Sequence, residues 1–531
     1  MTDLLIEDAK IVDGTGAPWF HGAVGVTDDR ITDIYRTTDP DIDATTTLTA
    51  DGRVVCPGFV DTHSHSDIEL FDDPTLAPKV RQGITTEILG QDGFSMAPMY
   101  REGGAEEWAK QLGALAGQTD MVWSWGSVGD YLDAVEESGV ALNTALLVGH
   151  GTVRFNVLGM DSRDPTDEEL EEMADLVTEA LEDGAVGFST GLIYTPCTYA
   201  GTHEVQELAA RLGPYGRPFV AHIRSEGRWI WDAFDEFVDI GAEEGIPLHL
   251  SHFKMGGPEQ HGKVNRATSL IEAARERGVD FTAEQYPYTA GSTMLSAVLP
   301  PWVHAEGPEG TLEYLNDDDA RERIRQDITE WRISGWENIG ALSGWDNVVI
   351  ANVESEENIE IEGASVAEIA NDRDIEPVDA VCELLVEEEL SVSITLHMLD
   401  ENDVQEILSF ERVCVGTDGL FGGKPHPRVY GSYPRILGTY VREKNLLTLE
   451  EAIRKMTSLP ARAMGLDHKG VIRPGMDADL VVFDPVRVES RATFENPRRY
   501  PKGIDHVLVN GEFAVCGGEM TENRPGCAIR K

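Results

Sequence analysis

The sequence predicts an α/β protein: a TIM-type (β/α)8 barrel with a small β-sandwich domain formed by the N- and C-terminal segments. Two observations lead to this fold class. Eight apolar segments of strand length, several of them separated by helical patterns, run through the middle of the chain, and both ends are rich in short strands. Strands that alternate with helices are typical of a parallel barrel, whereas short strands joined by tight turns are typical of a separate β-domain.

The β-domain is predicted from residues 1–56 and 468–531 together. The first range contains "LLIEDAKIVDG" and "AVGVTDDRITDIY", with Asp-Gly and Asp-Asp turns, and the second contains "DADLVVFDP" and "IDHVLVNGE". We therefore expect one composite domain from both ends, with the barrel domain, residues 57–467, inserted between them.

The eight barrel strands are predicted before His63 and in seven further segments: "GITTEIL", "LNTALLVGHG", "GAVGFST", "PFVAHI", "IPLHLSH", "VDFTAEQY" and "RVCVGTDG". One connecting helix is well marked: Thr166 and Glu169 have the spacing of a capping box, apolar residues recur from Leu170 to Leu181, and Gly184 ends the pattern. A doubly wound open sheet is the alternative, but no G-x-G-x-x-G follows an early strand.

A long stretch between Tyr288 and Arg412 does not fit a simple connection. It contains "LPPW", "ISGWENIGALSGWDN" and "EPVDAVCELLVEEEL". We predict an insertion at about 296–395 with its own helices, and a lid is one role that such an insertion can have.

The charge of the chain is extreme, with 43 Lys and Arg against 95 Asp and Glu, a formal net charge of −52. Such a surface repels nucleic acids and anionic membranes, so we expect neither as a partner. The acids are spread along the chain, which is typical of a solvated surface. Because self-repulsion of this size needs screening by salt, we predict a halophilic protein.

A cytoplasmic location is expected from three further features. The six cysteines form no C-x-x-C pair, the N-terminus has no basic and apolar leader, and no run of about 18 apolar residues could span a membrane.

Polar residues at the predicted strand ends indicate a metal site. In "PGFVDTHSHSD", His63 and His65 are two residues apart, so on a strand they point to the same face. Four more candidates end or follow other strands: Asp92, His222, His252 and Asp418. The carboxyl ends of barrel strands meet at one mouth, and nitrogen and carboxylate ligands suit Zn²⁺, with Mn²⁺ or Fe²⁺ as alternatives.

Three of the assignments have structural alternatives. His222 taken alone could be a hydrogen-bonded core residue, and Asp418 could cap a following helix. His150, in "GHGTVR", could support the site or belong to the core, and the sequence leaves this open. His249 lies three residues before His252, so it faces away and is expected to be structural.

With these residues in place, the chain resembles the amidohydrolase superfamily, and more closely the N-acyl-D-amino-acid deacylase (D-aminoacylase) family. The similar stretches include "PGFVDTHSHSD", "GITTEILGQDGFSMAP", "STGLIYTP", "AHIRSEG", "SHFK", "YPYTAGSTML", "GTDG", "HPRVYGSYPRILGTYVRE" and "IRPGMDADLVVFDP", in order over nearly the whole chain. The resemblance implies hydrolysis of N-acyl-D-amino acids to a carboxylate and a free D-amino acid, with one or two Zn²⁺ ions. It also implies that Asp418 is the catalytic proton shuttle.

Asp92 departs from the family pattern, which usually has an N-C-G triplet with cysteine as a metal ligand. This chain has Gln91-Asp92-Gly93. Asp92 could replace the thiolate as a ligand that bridges two metals, or it could only form a turn. No lysine occurs in "GAVGFSTGL", where many binuclear relatives have a carboxylated lysine, which weakens the hydantoinase and dihydroorotase interpretations.

Substrate binding is also inferred from the resemblance, which assigns Lys254, Tyr286 and Arg428 to the α-carboxylate of the substrate. "AGSTMLSAVLPPW" contains no arginine, so an apolar or broad side-chain preference is expected. The competing functions are a cyclic-amide hydrolase or a D-peptidase of the same superfamily and, in a different class, a metal-free scaffold.

Overall fold

The computed structural model describes residues 2–116, 123 and 125–531. In chain order its strands are β1 (Thr2–Ile11), β2 (Phe20–Thr27), β3 (Arg30–Tyr35), β4 (Ala44–Thr49), β5 (Val54–Pro57), β6 (Phe59–Asp61), β7 (Ile84–Leu89), β8 (Asn143–Gly149), β9 (Gly187–Gly191), β10 (Phe219–His222), β11 (Leu248–Leu250), β12 (Phe281–Gln285), β13 (Gly291–Met294), β14 (Val348–Asn352), β15 (Ser393–Leu396), β16 (Val413–Val415), β17 (Leu480–Phe483), β18 (Ile504–Val509), β19 (Glu512–Cys516) and β20 (Glu519–Met520).

The α-helices are α1 (Glu69–Asp72), α2 (Ala77–Val80), α3 (Gly104–Ala116), α4 (Val128–Ser138), α5 (His150–Leu158), α6 (Asp167–Glu182), α7 (Thr202–Ala209), α8 (Ile230–Glu244), α9 (Val264–Glu276), α10 (Gly307–Asn316), α11 (Asp318–Glu330), α12 (Ile339–Ser343), α13 (Val366–Arg373), α14 (Pro377–Glu387), α15 (Glu401–Ser409), α16 (Arg428–Arg435), α17 (Leu449–Met456) and α18 (Ser458–Ala463). A π-helical segment, Ile436–Glu443, continues α16.

The central sheet is a parallel barrel of eight strands, in the order β16-β12-β11-β10-β9-β8-β7-β6. Its first and last strands meet just beyond their ends, where Ser64 and Gly419 form a parallel bridge. The backbone N–H of Asp418 also donates to the carbonyl of His63 at 2.8 Å. These contacts close the ring, so the predicted barrel is confirmed and the open sheet is excluded.

The helices lie outside this ring, and α6 shows how the sequence sets one of them. Thr166 accepts a hydrogen bond from the backbone of Glu169, whose side chain in turn accepts from the backbone of Thr166. The apolar residues Met173, Val177 and Leu181 are buried on one face. Gly184, with φ of +115°, follows the helix and leads the chain towards β9.

The chain ends build one mixed sheet of nine strands, which confirms the β-domain expected from both termini. Strand β1 pairs antiparallel with β2 and parallel with β4 and β5. The two ends join where β5 pairs antiparallel with β17. Apolar residues from both ends, among them Ile6, Val55, Leu480 and Leu508, share one buried cluster.

A smaller unit follows β12 in the stretch where the sequence predicts an insertion. The antiparallel strands β13, β15 and β14 form its sheet, and helices α10–α14 pack around it. It has its own apolar cluster, from Leu295 to Met398. Ile339, Leu396 and Met398 of this unit also line the cleft at the barrel mouth, so the unit covers part of that cleft.

In the part of the chain that the structure describes, no helix has the length and apolar character needed to cross a membrane.

Candidate metal centre

Six side chains meet at the carboxyl end of the barrel, and all six are buried: His63, His65, Asp92, His222, His252 and Asp418. His222 is the last residue of β10, whereas the others lie two to four residues beyond their strands. The strands are therefore slightly shorter than the sequence predicts. Asp92, His252 and Asp418 have φ of +55°, +33° and +49°, so the backbone leaves the extended conformation at these positions and directs the side chains into the mouth.

The first group of ligand atoms has the dimensions of a tetrahedral site. His63 Nε2 lies 3.3 Å from His65 Nε2, 3.5 Å from Asp92 Oδ2 and 3.6 Å from Asp418 Oδ1. His65 Nε2 lies 3.5 Å from Asp92 Oδ2 and 3.4 Å from Asp418 Oδ1. A tetrahedron with metal–ligand distances of about 2.0–2.2 Å has edges of about 3.3–3.6 Å, so these four residues can hold one ion.

The second group uses the other oxygen of the same aspartate. Asp92 Oδ1 lies 3.5 Å from His252 Nε2 and 3.8 Å from His222 Nδ1. These three residues form a second set of potential ligands, and Asp92 is common to both sets. A single carboxylate therefore connects two candidate cation positions.

Unpartnered polar atoms show that the cluster fits a metal. Among the described residues, Asp92 Oδ1 and both ring nitrogens of His222 are buried and find no hydrogen-bond partner. Burial lowers the pKa of His222 to about 3, so the ring is neutral at pH 7, as a metal ligand must be. Such atoms are costly to bury unless a cation or a hydrogen bond satisfies them, and the histidine and carboxylate set suits Zn²⁺.

Two other histidines carry protons when no metal is bound. Burial alone would lower the pKa of His63, but Asp92 and Asp418 raise it to about 9. Burial and Lys254 oppose protonation of His252, whereas Glu226 and Asp92 raise its pKa to about 10. A metal that binds here must displace these protons.

Glu284 forms a hydrogen bond with His63 of the first group. Its Oε1 accepts a hydrogen bond from His63 Nδ1 at 2.9 Å and from the backbone N–H of His252 at 2.6 Å. Its other oxygen contacts His249 Nε2. Because His63 Nδ1 bonds to a carboxylate, Nε2 is left to face the ligand cluster. His249, expected to be structural, thus contacts the carboxylate that orients His63.

Glu226 supports the second group. One of its oxygens lies 2.9 Å from His252 Nδ1, and the other lies 3.5 Å from His222 Nε2. Lys254 Nζ also donates to Glu226 Oε1 at 2.5 Å. The sequence interpretation missed both glutamates, although Glu284 lies near the end of a buried strand and Glu226 is four residues beyond His222.

A buried ion pair joins the ends of β6 and β16, the two strands that close the barrel, next to the ligand cluster. Lys79 Nζ donates to Asp61 Oδ2 at 2.8 Å, to Ser64 Oγ at 2.9 Å and to Thr417 Oγ1 at 2.5 Å. Asp61 also accepts from the backbone N–H of Thr417 at 2.8 Å. These contacts fix the neighbours of the two histidines and of Asp418 relative to one another.

A narrow cleft opens beside the cluster. Its lining includes His65, Asp92, Leu115, Ile193, Tyr194, His222, Glu226, His252, Lys254, Tyr286, Ile339, Leu396, Met398 and Asp418. Apart from the ligand cluster and the Glu226–Lys254 pair, the lining side chains are apolar or aromatic, except for the hydroxyl residues Ser292 and Thr293.

The three residues expected to bind a carboxylate lie together near this cleft. The Arg428 guanidinium lies over the ring of Tyr286 at 4.6 Å, and Lys254 Nζ is 5.9 Å from the same ring. Arg428 Nη1 lies 2.8 Å from Asp418 Oδ2, and Nη2 donates to the carbonyl of Ser292 at 3.1 Å. In the part of the chain that the structure describes, the Tyr286 hydroxyl and Arg428 Nε have no hydrogen-bond partner. Arg428 is fully buried, which excludes a surface salt bridge.

His150 lies apart from the ligand cluster. Its Nδ1 is 2.8 Å from Thr190 Oγ1, and its Nε2 is 3.0 Å from Glu204 Oε1, which belongs to a carboxylate that also pairs with Arg154. Both ring nitrogens are thus engaged in a buried network, and the question that the sequence left open is answered in favour of a core role.

Comparison with known proteins agrees with the geometry. A family model described as "Amidohydrolase family" matches residues 46–289 and 364–515. The chain is 35% identical to a D-aminoacylase of Alcaligenes xylosoxydans xylosoxydans over 515 residues, which cover 96% of this chain and 93% of the relative.

Two solved structures are similar over their whole length. One, from a study of the binuclear metal center of D-aminoacylase, has a TM-score of 0.85 at 33% identity and covers 100% of both chains. The other is an N-acyl-D-glutamate deacylase from Bordetella bronchiseptica, complexed with zinc and a phosphonate mimic of the tetrahedral intermediate. It has a TM-score of 0.84 at 33% identity, again over 100% of both chains.

Proposed function

Because this chain belongs to the amidohydrolase family, with similarity to D-amino-acid deacylases over its full length, we propose that it hydrolyses the amide bond of N-acyl-D-amino acids. The products are a carboxylate and a free D-amino acid. One observation carries the proposal: two groups of buried ligand atoms share Asp92 beside a cleft lined by Lys254 and Tyr286, with Arg428 packed against the Tyr286 ring.

The metal ligands are proposed as two sets. His63, His65, Asp92 and Asp418 would hold one ion, and Asp92 with His222 and His252 would hold a second. Zn²⁺ is the proposed metal, and when bound it supplies Lewis acidity, which polarises the substrate carbonyl and makes water acidic enough to attack. In the metal-free site the protonated His63 and His252, with Lys254 and Arg428, balance the four carboxylates Asp92, Asp418, Glu226 and Glu284, and a bound cation would replace the charge of the two displaced protons.

Asp418 is proposed as the proton shuttle. Its Oδ1 faces the two histidines of the first group, at 3.6 Å and 3.4 Å, whereas its Oδ2 pairs with Arg428 at 2.8 Å. In this position Asp418 accepts the proton of the attacking water and returns it to the departing amine, a role that typically contributes about 10²–10⁴-fold to the rate.

Arg428, Lys254 and Tyr286 are proposed to bind the α-carboxylate of the substrate. Arg428 Nε and the Tyr286 hydroxyl are donors that have no partner within the described ranges, and a carboxylate oxygen would satisfy each of them. Because Arg428 also touches Asp418, the bound carboxylate lies next to the proton shuttle. This places the amine of the leaving amino acid close to the group that protonates it.

An apolar side chain is the proposed preference. Ile193, Leu115, Leu396 and Met398 line the cleft, and Lys254 is the one lysine or arginine among its described lining residues. A substrate with a second carboxylate, such as an N-acyl-D-glutamate, would place that charge against apolar atoms without a partner. We therefore expect N-acyl-D-methionine and N-acyl-D-leucine to be better substrates.

The salt adaptation and the cytoplasmic location are part of the proposal. The support for salt adaptation is the net charge of −52, which dense salt would screen. The support for the location is that all six cysteines are free thiols, as a reducing compartment requires.

A substrate panel tests the proposed function. The enzyme, loaded with Zn²⁺ in about 3 M KCl, is given N-acetyl-D- and N-acetyl-L-forms of methionine, leucine and glutamate, together with a hydantoin and a D-dipeptide. We expect release of D-methionine and D-leucine at rates at least 100-fold above those of the L-forms. Turnover of only the hydantoin or the dipeptide would favour one of the competing hydrolases, and no turnover with no bound metal would favour the scaffold.

A further inference from the structure

We propose that Glu226 is a positioning residue that orients both histidines of the second metal group. The inference rests on the proposed function, because it concerns how this chain prepares His222 and His252 for a metal. Glu226 belongs to the stretch "AHIRSEG", which also contains His222, but the sequence alone assigns it no role.

The first step is the tautomer of His252. Its Nε2 faces Asp92 Oδ1 at 3.5 Å, so a neutral ring that ligates through Nε2 must carry its proton on Nδ1. Two groups lie against Nδ1: Glu226 Oε1 at 2.9 Å and Lys254 Nζ at 2.8 Å. A lysine ammonium has no acceptor, so Glu226 Oε1 is the atom that can accept the Nδ1 proton in a hydrogen bond. A ligating histidine whose other nitrogen donates to a carboxylate has a fixed ring orientation and greater basicity.

The second step concerns His222, which uses the opposite ring nitrogens. Its Nδ1 faces Asp92 at 3.8 Å, and its Nε2 faces Glu226 Oε2 at 3.5 Å. The two oxygens of Glu226 are therefore divided between the two histidines, just as the two oxygens of Asp92 are divided between the two metal groups.

The third step is the way in which Glu226 itself is held. The backbone N–H groups of Glu226 and Gly227 donate to Glu337 Oε2 at 3.2 Å and 3.3 Å. Lys254 Nζ donates to Glu226 Oε1 at 2.5 Å and neutralises the buried carboxylate. Glu337 thus holds the backbone of the loop, and Lys254 holds the Glu226 side chain. Substitutions at Glu337 and Glu226 therefore test the backbone contact and the side chain separately.

The test is a metal titration of Glu226→Gln, with Glu337→Gln as the matched control. In Glu226→Gln the amide oxygen can accept from one histidine, but the amide nitrogen cannot accept from the other. We expect the dissociation constant of the second Zn²⁺ to rise about 10–100-fold and that of the first to change less than threefold. In Glu337→Gln the amide oxygen replaces the carboxylate oxygen, so both binding steps should match those of the wild type.

The readouts are independent of turnover. Calorimetry resolves the two Zn²⁺ steps, and the visible absorption of Co²⁺ reports the ligand geometry of each. Glu226→Asp, which keeps the charge, should recover part of the second step, and thermal melting of each metal-free variant shows whether the fold is retained.

Two results would overturn the inference: a second Zn²⁺ step in Glu226→Gln within twofold of wild type, or equal weakening of both steps. Failure of the proposed function would look different, because the wild type would then bind two metals but release no D-amino acid.

Discussion

Replacing Asp92 with asparagine tests the shared ligand without disturbing the turn. Asp92 has φ of +55° and ψ of +25°, in the left-handed region. Asparagine tolerates this conformation, whereas alanine would add strain of about 1–2 kcal/mol. Asp92→Asn therefore keeps the backbone and one ligand oxygen and removes the charge.

The expected size of the effect follows from how many ligands each group retains. The first group keeps His63, His65 and Asp418, and three protein ligands are the usual number in a catalytic zinc site. The second group keeps only His222 and His252. Since loss of an outer-shell partner alone typically costs 10–100-fold in metal affinity, we expect about 100-fold weaker binding at the first group and no measurable binding at the second.

Competition with a chromophoric chelator measures both constants for wild type, Asp92→Asn and Asp92→Cys. The cysteine variant restores a charged ligand and should recover tight binding and measurable turnover. The metal content of Asp92→Asn should fall from about two equivalents to one or fewer. Unchanged Zn²⁺ affinity and stoichiometry in Asp92→Asn would refute the bridging role and leave Asp92 as a turn residue.

Three further predictions follow from the same site and from the surface. Asp418 also has a positive φ (+49°), which asparagine adopts, so Asp418→Asn should fold and retain at least one Zn²⁺. Its kcat should fall about 10²–10⁴-fold because the proton shuttle is lost. Activity within a few-fold of wild type would contradict the shuttle role. Zn²⁺ uptake at pH 7 should release about two protons, because the pKa values of His63 and His252 are raised to about 9 and 10. For the same reason the affinity for Zn²⁺ should rise with pH until those pKa values are passed. Calorimetry in buffers of different ionisation enthalpy counts the released protons, and a count of zero would contradict the assignment. The midpoint of thermal unfolding should be higher in about 3 M KCl than in 0.1 M KCl because salt screens the net charge of −52, and equal midpoints would count against salt adaptation.

The meeting of the six candidate ligands could be predicted because barrel strands run parallel and their carboxyl ends share one mouth. A polar residue at the end of a predicted barrel strand is therefore expected at the mouth of the barrel, even when the residues that it contacts there are far away in sequence. His63 and Asp418 illustrate this: the last and first barrel strands meet there, and the backbone N–H of Asp418 bonds to the carbonyl of His63. The exact strand ends were less predictable, because positive φ at single residues depends on tertiary contacts.

The acids that orient the ligands could not be identified from the sequence. Glu284 bonds to His63 across a separation of 221 residues, and no local pattern records such a contact. The chain has 95 acidic residues, and the sequence alone does not distinguish Glu226 and Glu284 from the many acidic residues that are exposed to solvent. The burial that distinguishes them is a property of the folded barrel, and so is the pairing of Arg428 with Asp418.

Zinc titration of the metal-free enzyme, with hydrolysis of N-acetyl-D-methionine as the readout, tests the central claim most directly. We expect negligible release of D-methionine before metal is added and a rise in activity over the first one or two equivalents of Zn²⁺. N-acetyl-L-methionine should remain nearly inert throughout. Full activity in protein shown by elemental analysis to hold no metal, or equal hydrolysis of both enantiomers, would contradict the account.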